Sequence, residues 1–139
     1  HCPYVEAVAD RLEATARDLR ALGVGTVAIN SNDGKTYPED AFERMGPFAQ
    51  AHGWSFPYLH DESQQVARDH GAVCTPEFFG LDRDGVLRYR GRLDAAGRGA
   101  PAPDMKPELV DAMRALVETG HAPATQHASM GCSIKWKRG

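Results

Sequence analysis

Apolar residues recur at Val5, Val8, Leu12, Ala16 and Leu19, a spacing that places them on one face of a helix over residues 3–22. Pro3 suits the first helical position, where a missing N–H costs nothing, and Gly23 supplies the stop. Cys2 therefore falls at or beside the N-cap. Residues 24–30 are β-branched and mostly apolar, which predicts a buried strand. Ser31, Asn32, Asp33 and Gly34 follow with the composition of a loop. Residues 39–52 read as a helix with Phe42, Met45, Phe48 and Ala49 on one side, broken or kinked at Gly46-Pro47 and ended at Gly53. A short strand is expected over 55–59, weakened by Pro57. Residues 61–70 predict a short helix with Val66 and Ala67 inward and Gly71 at its end.

An apolar strand over 77–81 leads into Asp82, Arg83, Asp84 and Gly85, a strong hairpin turn. The partner strand, 86–91, puts Val86, Arg88 and Arg90 on one face and Leu87 and Tyr89 on the other. Residues 94–104, rich in Gly, Ala and Pro, read as a loop. Residues 107–119 predict the last helix, with Leu109, Val110, Met113, Leu116 and Val117 as its apolar stripe and Gly120 as its stop. This order of elements is a mixed α/β layout, a sheet flanked by helices. It predicts one domain over 1–120 and an extended tail over 121–139. A helix that carries a functional Cys at its N-terminus usually follows a strand that aims it, and that strand is expected just upstream of His1.

Composition narrows the class. The chain has 139 residues, 42% hydrophobic and 25% charged, with a net charge of -3. That is the profile of a globular domain with one core and no broad basic surface for nucleic acid. The basic run at Lys135, Lys137 and Arg138 reads as a solvated terminus. No apolar run approaches the length that crosses a bilayer. Three cysteines, Cys2, Cys74 and Cys132, are too few and too scattered for a secreted disulfide framework. They fit a reduced, cytoplasmic setting, or one redox pair plus a third thiol. Their spacing gives no zinc pattern, and neither a metal nor a cofactor is expected.

Four stretches together resemble a known family. They are His1-Cys2-Pro3-Tyr4 opening the first helix, and the strand Thr26 to Asn30 followed by Ser31-Asn32. Next comes the run from Phe56 to Glu62, then Val66 and Ala67, then Gly71 through Cys74, Thr75 and Pro76. The last is Phe78, Phe79, Leu81, Asp82, Asp84, Gly85, Tyr89, Arg90 and Gly91. In these the chain resembles the redoxin, or AhpC/TSA, branch of the thioredoxin-like superfamily from His1 to about Arg92 and again in the closing helix. More narrowly it is similar to a bacterial thioredoxin-like subgroup that starts Cys-x-x-Cys-Pro-Tyr and ends Gly-Cys-Ser-Ile-Lys-Trp, matched here by Gly131 to Trp136. The resemblance implies a thioredoxin-like fold and a further Cys two residues before His1. It also implies a cis bond at Thr75-Pro76 that brings this loop against the helix start, with the Thr75 backbone free to pair with an extended substrate. In a Cys-x-x-Cys arrangement Cys2 is the resolving thiol.

The residues carry their own chemistry beside that resemblance. A thiolate is the nucleophile in exchange with disulfides or peroxides, and unpaired N–H groups at a helix N-terminus favour the anion. Cys2 is therefore the leading catalytic candidate over a small residue packed at a helix start. Cys74 reads either as a resolving or tuning thiol or as a small core residue. Cys132 reads either as a resolving thiol on a tail that folds back or as an incidental thiol. Thr75, Pro76 and Tyr4 are the expected substrate-binding residues, although Tyr4, like Phe78 and Trp136, also reads as a packing residue. His1 is expected to be a spacer in the motif. His52, His60 and His70 are expected at the surface, Arg90 and Arg92 on a solvated strand face or beside a thiolate, and Asp61 and Glu62 at a capped helix start.

Three functions follow. The first is a thiol–disulfide oxidoreductase acting on protein or small-molecule disulfides. The second is a peroxidase that reduces hydroperoxides. In either case the reductant is a partner such as thioredoxin or a small thiol. The third is a binding module without turnover, which predicts an ordinary Cys2 pKa and no disulfide. A homodimer is compatible with all three. No nucleic acid and no membrane are expected.

Overall fold

The computed structural model describes residues 2–138, so the expected role of His1 lies outside the described residues. Helix α1 (Pro3–Ala21) forms where the apolar spacing places it, with Cys2 as its N-cap and Pro3 in its first turn. Strand β1 (Ala28–Asn30) pairs in parallel with β2 (Tyr58–His60), Ile29 opposite Leu59. Between them a 3-10 turn (Pro38–Asp40) leads into α2 (Phe42–Ala51). After β2 come α3 (Gln65–His70) and the two-residue strand β3 (Cys74–Thr75). Strands β4 (Phe78–Leu81) and β5 (Leu87–Gly91) form an antiparallel hairpin with a register shift at Gly80/Leu81. Helix α4 (Glu108–Thr119) follows, and β6 (Cys132–Ser133) pairs antiparallel with β3. The architecture is mixed α/β, with three two-stranded sheets among the described residues, flanked by helices.

The core joins α1, α4 and the hairpin. Val8 and Leu19 of α1 meet Leu109, Val110, Met113 and Leu116 of α4 around the buried Tyr89. Tyr89 still satisfies its hydroxyl, which donates to the Arg92 carbonyl oxygen at 2.5 Å. Polar pins fix the other side of α1. The buried Glu13 carboxylate accepts from the Ser55 N–H at 2.7 Å, and the Trp54 indole donates to the Ala9 carbonyl at 2.8 Å. These bonds tie the middle of α1 to the segment that leads into β2.

Several local expectations differ. The first strand is shorter than 24–30 and is not buried: Ile29 within it is 45% exposed, and Val27 just before it 53%. The break expected at Gly46-Pro47 does not occur, and α2 runs through Pro47. Glu43, four residues back on the same turn, is exposed, so water can satisfy the carbonyl that Pro47 leaves unpaired. The helix expected over 61–70 begins only at Gln65, after Gln64 adopts a left-handed backbone with φ 64°. On α4, Val117 is 53% exposed and lies off the stripe. The extended tail expected over 121–139 runs back across the molecule in its described part, where β6 pairs with β3.

Candidate functional site

Two elements meet at Cys2. The first is the start of α1, where Glu6 donates its N–H to the Cys2 carbonyl at 2.9 Å and the side chain caps no N–H. The second is the loop after β3, where the Thr75–Pro76 peptide is cis. The Cys2 sulfur lies 3.3 Å from the Thr75 carbonyl oxygen. Cys2 is only 5% exposed.

A third element completes the site. In β6, Cys132 stands opposite Thr75 and Ser133 opposite Cys74. The sulfurs of Cys2 and Cys132 are 2.6 Å apart. Joining them needs a shift of only about half an ångström. The backbone of Thr75, expected to be open to an extended substrate, is thus already paired with the chain's own tail. Gly131 permits this approach: a Cβ there would collide with the Thr75 carbonyl.

The electrostatics of the two sulfurs are opposite. Burial pushes the Cys2 thiol up, but it is outweighed. The Cys132 S–H, the Thr75 hydroxyl and the N–H groups of Val5 and Cys132 all favour the anion, and Cys2 ends below the ordinary thiol value. The Thr75 hydroxyl is buried and has no hydrogen-bond partner among the described residues, which leaves it available to a charged sulfur. Cys132 is pushed up, first by burial, then by the proton it holds in order to donate to Cys2 and by the charge there. Of the two, Cys2 is therefore the sulfur that gives up its proton first, and Cys132 the one that keeps it longer.

Cys74 is placed elsewhere. Its sulfur lies 3.9 Å from the Pro76 carbonyl and 3.8 Å from the Ser129 carbonyl, with no hydrogen bond to Cys2 or Cys132 among the described residues. Burial raises its pKa, and the Glu77 carboxylate raises it further against the opposing pull of Arg90. Neither arginine offered by the sequence steadies the Cys2 thiolate. Arg90 is held by Glu77 at 2.8 Å and by the Gly71 carbonyl, and Arg92 is bidentate on Glu108. Tyr4 and Pro76 line a cleft with Phe78, Leu93 and Met130 between the start of α1 and the cis loop. Arg98 lies over the Tyr4 ring at 5.4 Å.

The histidines stand outside the site: His52 pairs with Asp10, His60 stacks on Phe42, and His70 bonds the Val66 carbonyl. Asp61 serves a helix start, accepting from the Ala67 N–H at 3.1 Å and from the Ser31 hydroxyl at 2.7 Å. Among the described residues no group of three or more His, Cys, Asp or Glu is arranged to hold a metal, and no helix is long and apolar enough to cross a membrane.

Sequence reasoning missed the residues that seat the tail. Gln64 is only 1% exposed and grips Lys135 and Lys137 through its amide. Asn32 accepts from the Lys135 N–H at 2.9 Å. A lone Gln or Asn in a polar stretch gives no sequence signal of such a contact. Gly131 beside a Cys did carry one, since a glycine in an extended segment marks close backbone approach.

A mixed α/β chain that sets a helix-start cysteine against a cis-proline loop has the plan of a thioredoxin-like protein. The sequence profile of the AhpC/TSA family matches residues 1–90, and the chain belongs to that family, whose chemistry is in general thiol-dependent redox. Two solved structures are similar over all of this chain. One is an uncharacterized conserved protein from Geobacillus kaustophilus, 45% identical with TM-score 0.92, 74% of whose chain is covered. The other is a hypothetical protein from Sinorhizobium meliloti 1021, 40% identical with TM-score 0.89, 76% of whose chain is covered. Among curated proteins nothing matches.

Proposed function

We propose that this chain performs thiol–disulfide exchange through a dithiol couple formed by Cys2 and Cys132. The observation that carries this reading is the 2.6 Å separation of the two sulfurs, one favoured as thiolate and the other as thiol. The Cys2 thiolate attacks one sulfur of a substrate disulfide, forming a mixed disulfide and releasing the other sulfur as thiolate. Cys132 then gives its proton to a released thiolate and attacks the Cys2 sulfur. A Cys2–Cys132 disulfide forms and the second substrate thiolate leaves. A small thiol or a reducing protein returns the couple to the dithiol. The occupied edge of β3 and the near-complete burial of Cys2 favour a small or locally flexible disulfide over a long extended segment.

The same burial supports one second reading, since it admits a hydroperoxide more readily than a bulky substrate. The Cys2 thiolate would take one peroxide oxygen, giving a sulfenic acid and, with a proton, an alcohol. Cys132 would then condense with the sulfenic acid to the same disulfide and water. Mass mapping of the oxidised full chain tests the couple, with a Cys2–Cys132 linkage and a free Cys74 expected. A linkage through Cys74 instead would overturn it. Parallel assays of insulin reduction, a small disulfide and hydroperoxide consumption separate the two readings.

A further inference from the structure

Cys132 is held in register by contacts on both sides. Upstream, His127 accepts the Arg92 N–H at 3.0 Å, and the Ser129 hydroxyl donates to the Gly91 carbonyl at 2.5 Å. Downstream, the chain enters a polar cradle. The Gln64 amide donates to the Ser31 carbonyl at 2.7 Å and the Lys135 carbonyl at 2.9 Å, and its oxygen accepts the Lys137 N–H at 3.0 Å. The Asp33 N–H donates to the Lys135 carbonyl at 2.8 Å, and the Asn32 side chain takes the Lys135 N–H. Ile134 is buried between the cradle and the site.

Gln64 is the unusual member of this cradle. It is the only non-glycine with positive φ among the described residues, and it is the most deeply buried polar residue there. A glutamine held in the left-handed region is retained where the surroundings require it. Here that backbone places an amide whose three bonds include two to the tail. Lys135 is three residues from Cys132, a reach of roughly 10 Å at full extension. A chain tied at so short a distance keeps its thiol at high effective concentration, and an untied one does not.

We propose that Gln64, supported by Asn32, is a positioning residue for the Cys2–Cys132 couple. It clamps the strand that carries Cys132 and so sets the effective concentration of that thiol at Cys2. The clamp rests on the couple proposed above. Without the Gln64 amide the segment keeps its upstream ties, its two-residue pairing with β3 and, downstream, only the Asp33 and Asn32 bonds to Lys135. Cys132 then leaves Cys2 for part of the time, and the Cys2 thiolate loses its S–H donor.

The test uses the full chain with Gln64→Gly, which suits the left-handed backbone and removes the amide, and Asn32→Ala, which removes a tail contact elsewhere in the cradle. The equilibrium between the Cys2–Cys132 disulfide and glutathione is measured, together with the Cys2 thiolate titration by ultraviolet absorbance. Circular dichroism monitors the fold. Expected are a fall of roughly tenfold or more in effective concentration for Gln64→Gly, a smaller fall for Asn32→Ala, and an upward move of the Cys2 midpoint in both. Wild-type equilibrium and titration in both folded variants would overturn the clamp while leaving the couple intact. If the wild-type chain forms no Cys2–Cys132 disulfide at all, the couple fails and the clamp with it.

Discussion

Cys2 and Cys74 flank the same proline loop, Cys2 across from it with its sulfur 3.3 Å from the Thr75 carbonyl oxygen and Cys74 two residues before Pro76, and burial pushes both thiols upward. They end on opposite sides of the ordinary thiol value. Cys2 also meets a carbonyl, that of Thr75 at 3.3 Å, but beside it stand donors: the Val5 N–H at the helix start, the Thr75 hydroxyl and the Cys132 S–H. Around Cys74 stand the carbonyl oxygens of Pro76 and Ser129 and the Glu77 carboxylate. Burial alone therefore does not distinguish a reactive from an inert cysteine here. What distinguishes them is whether the neighbouring dipoles and charges solvate the anion.

The largest expected effect separates the two thiols outright. Cys2→Ser lowers turnover of a small disulfide or hydroperoxide by roughly a hundredfold or more, since the nucleophile is gone, whereas Cys74→Ser changes it by less than about twofold. Steady-state rates on both variants check this, and equal losses would erase the contrast. Thr75→Val comes next. It removes a hydroxyl that favours the anion, so the Cys2 titration midpoint rises and the rate at neutral pH drops by a few fold as the thiolate fraction shrinks. An unmoved midpoint would remove Thr75 from the account.

Glu77→Gln sharpens the other half. Losing the carboxylate beside Cys74 lowers the midpoint of that thiol and speeds its reaction with a neutral disulfide probe by about two- to threefold, with Cys2 unchanged. The smallest effect is on stability. The Cys2 pKa is lowered by folding, so its contribution is present above the ordinary thiol value and lost as pH falls through the folded value. The Cys74 pKa is raised, so its contribution is present below the ordinary value and lost as pH rises through the folded one. Urea unfolding of the reduced protein across this range should lose the first trend in Cys2→Ser and weaken the second in Cys74→Ser, where the raised Cys132 thiol still contributes. Trends of the same sign would contradict the opposite shifts.

Much of this was written locally. The 3.6-residue spacing from Val5 to Leu19, Pro3 ahead of it and Gly23 behind it determined α1 and therefore the N-cap position of Cys2. Asp82 to Gly85 determined the hairpin turn in the same way. Such features depend on neighbours within a turn or two of chain. The sequence left Cys74 and Cys132 open to the same kinds of reading, because it does not encode which of two distant thiols reaches Cys2. Tertiary structure decided that, by seating β6 on β3 so that Cys132 faces Thr75, with Gly131 leaving room and Gln64 and Asn32 holding the far end. It also decided the burial of Gln64 and the exposure of Ile29. Both depend on contacts between segments far apart in the chain, and residue type alone does not specify those contacts.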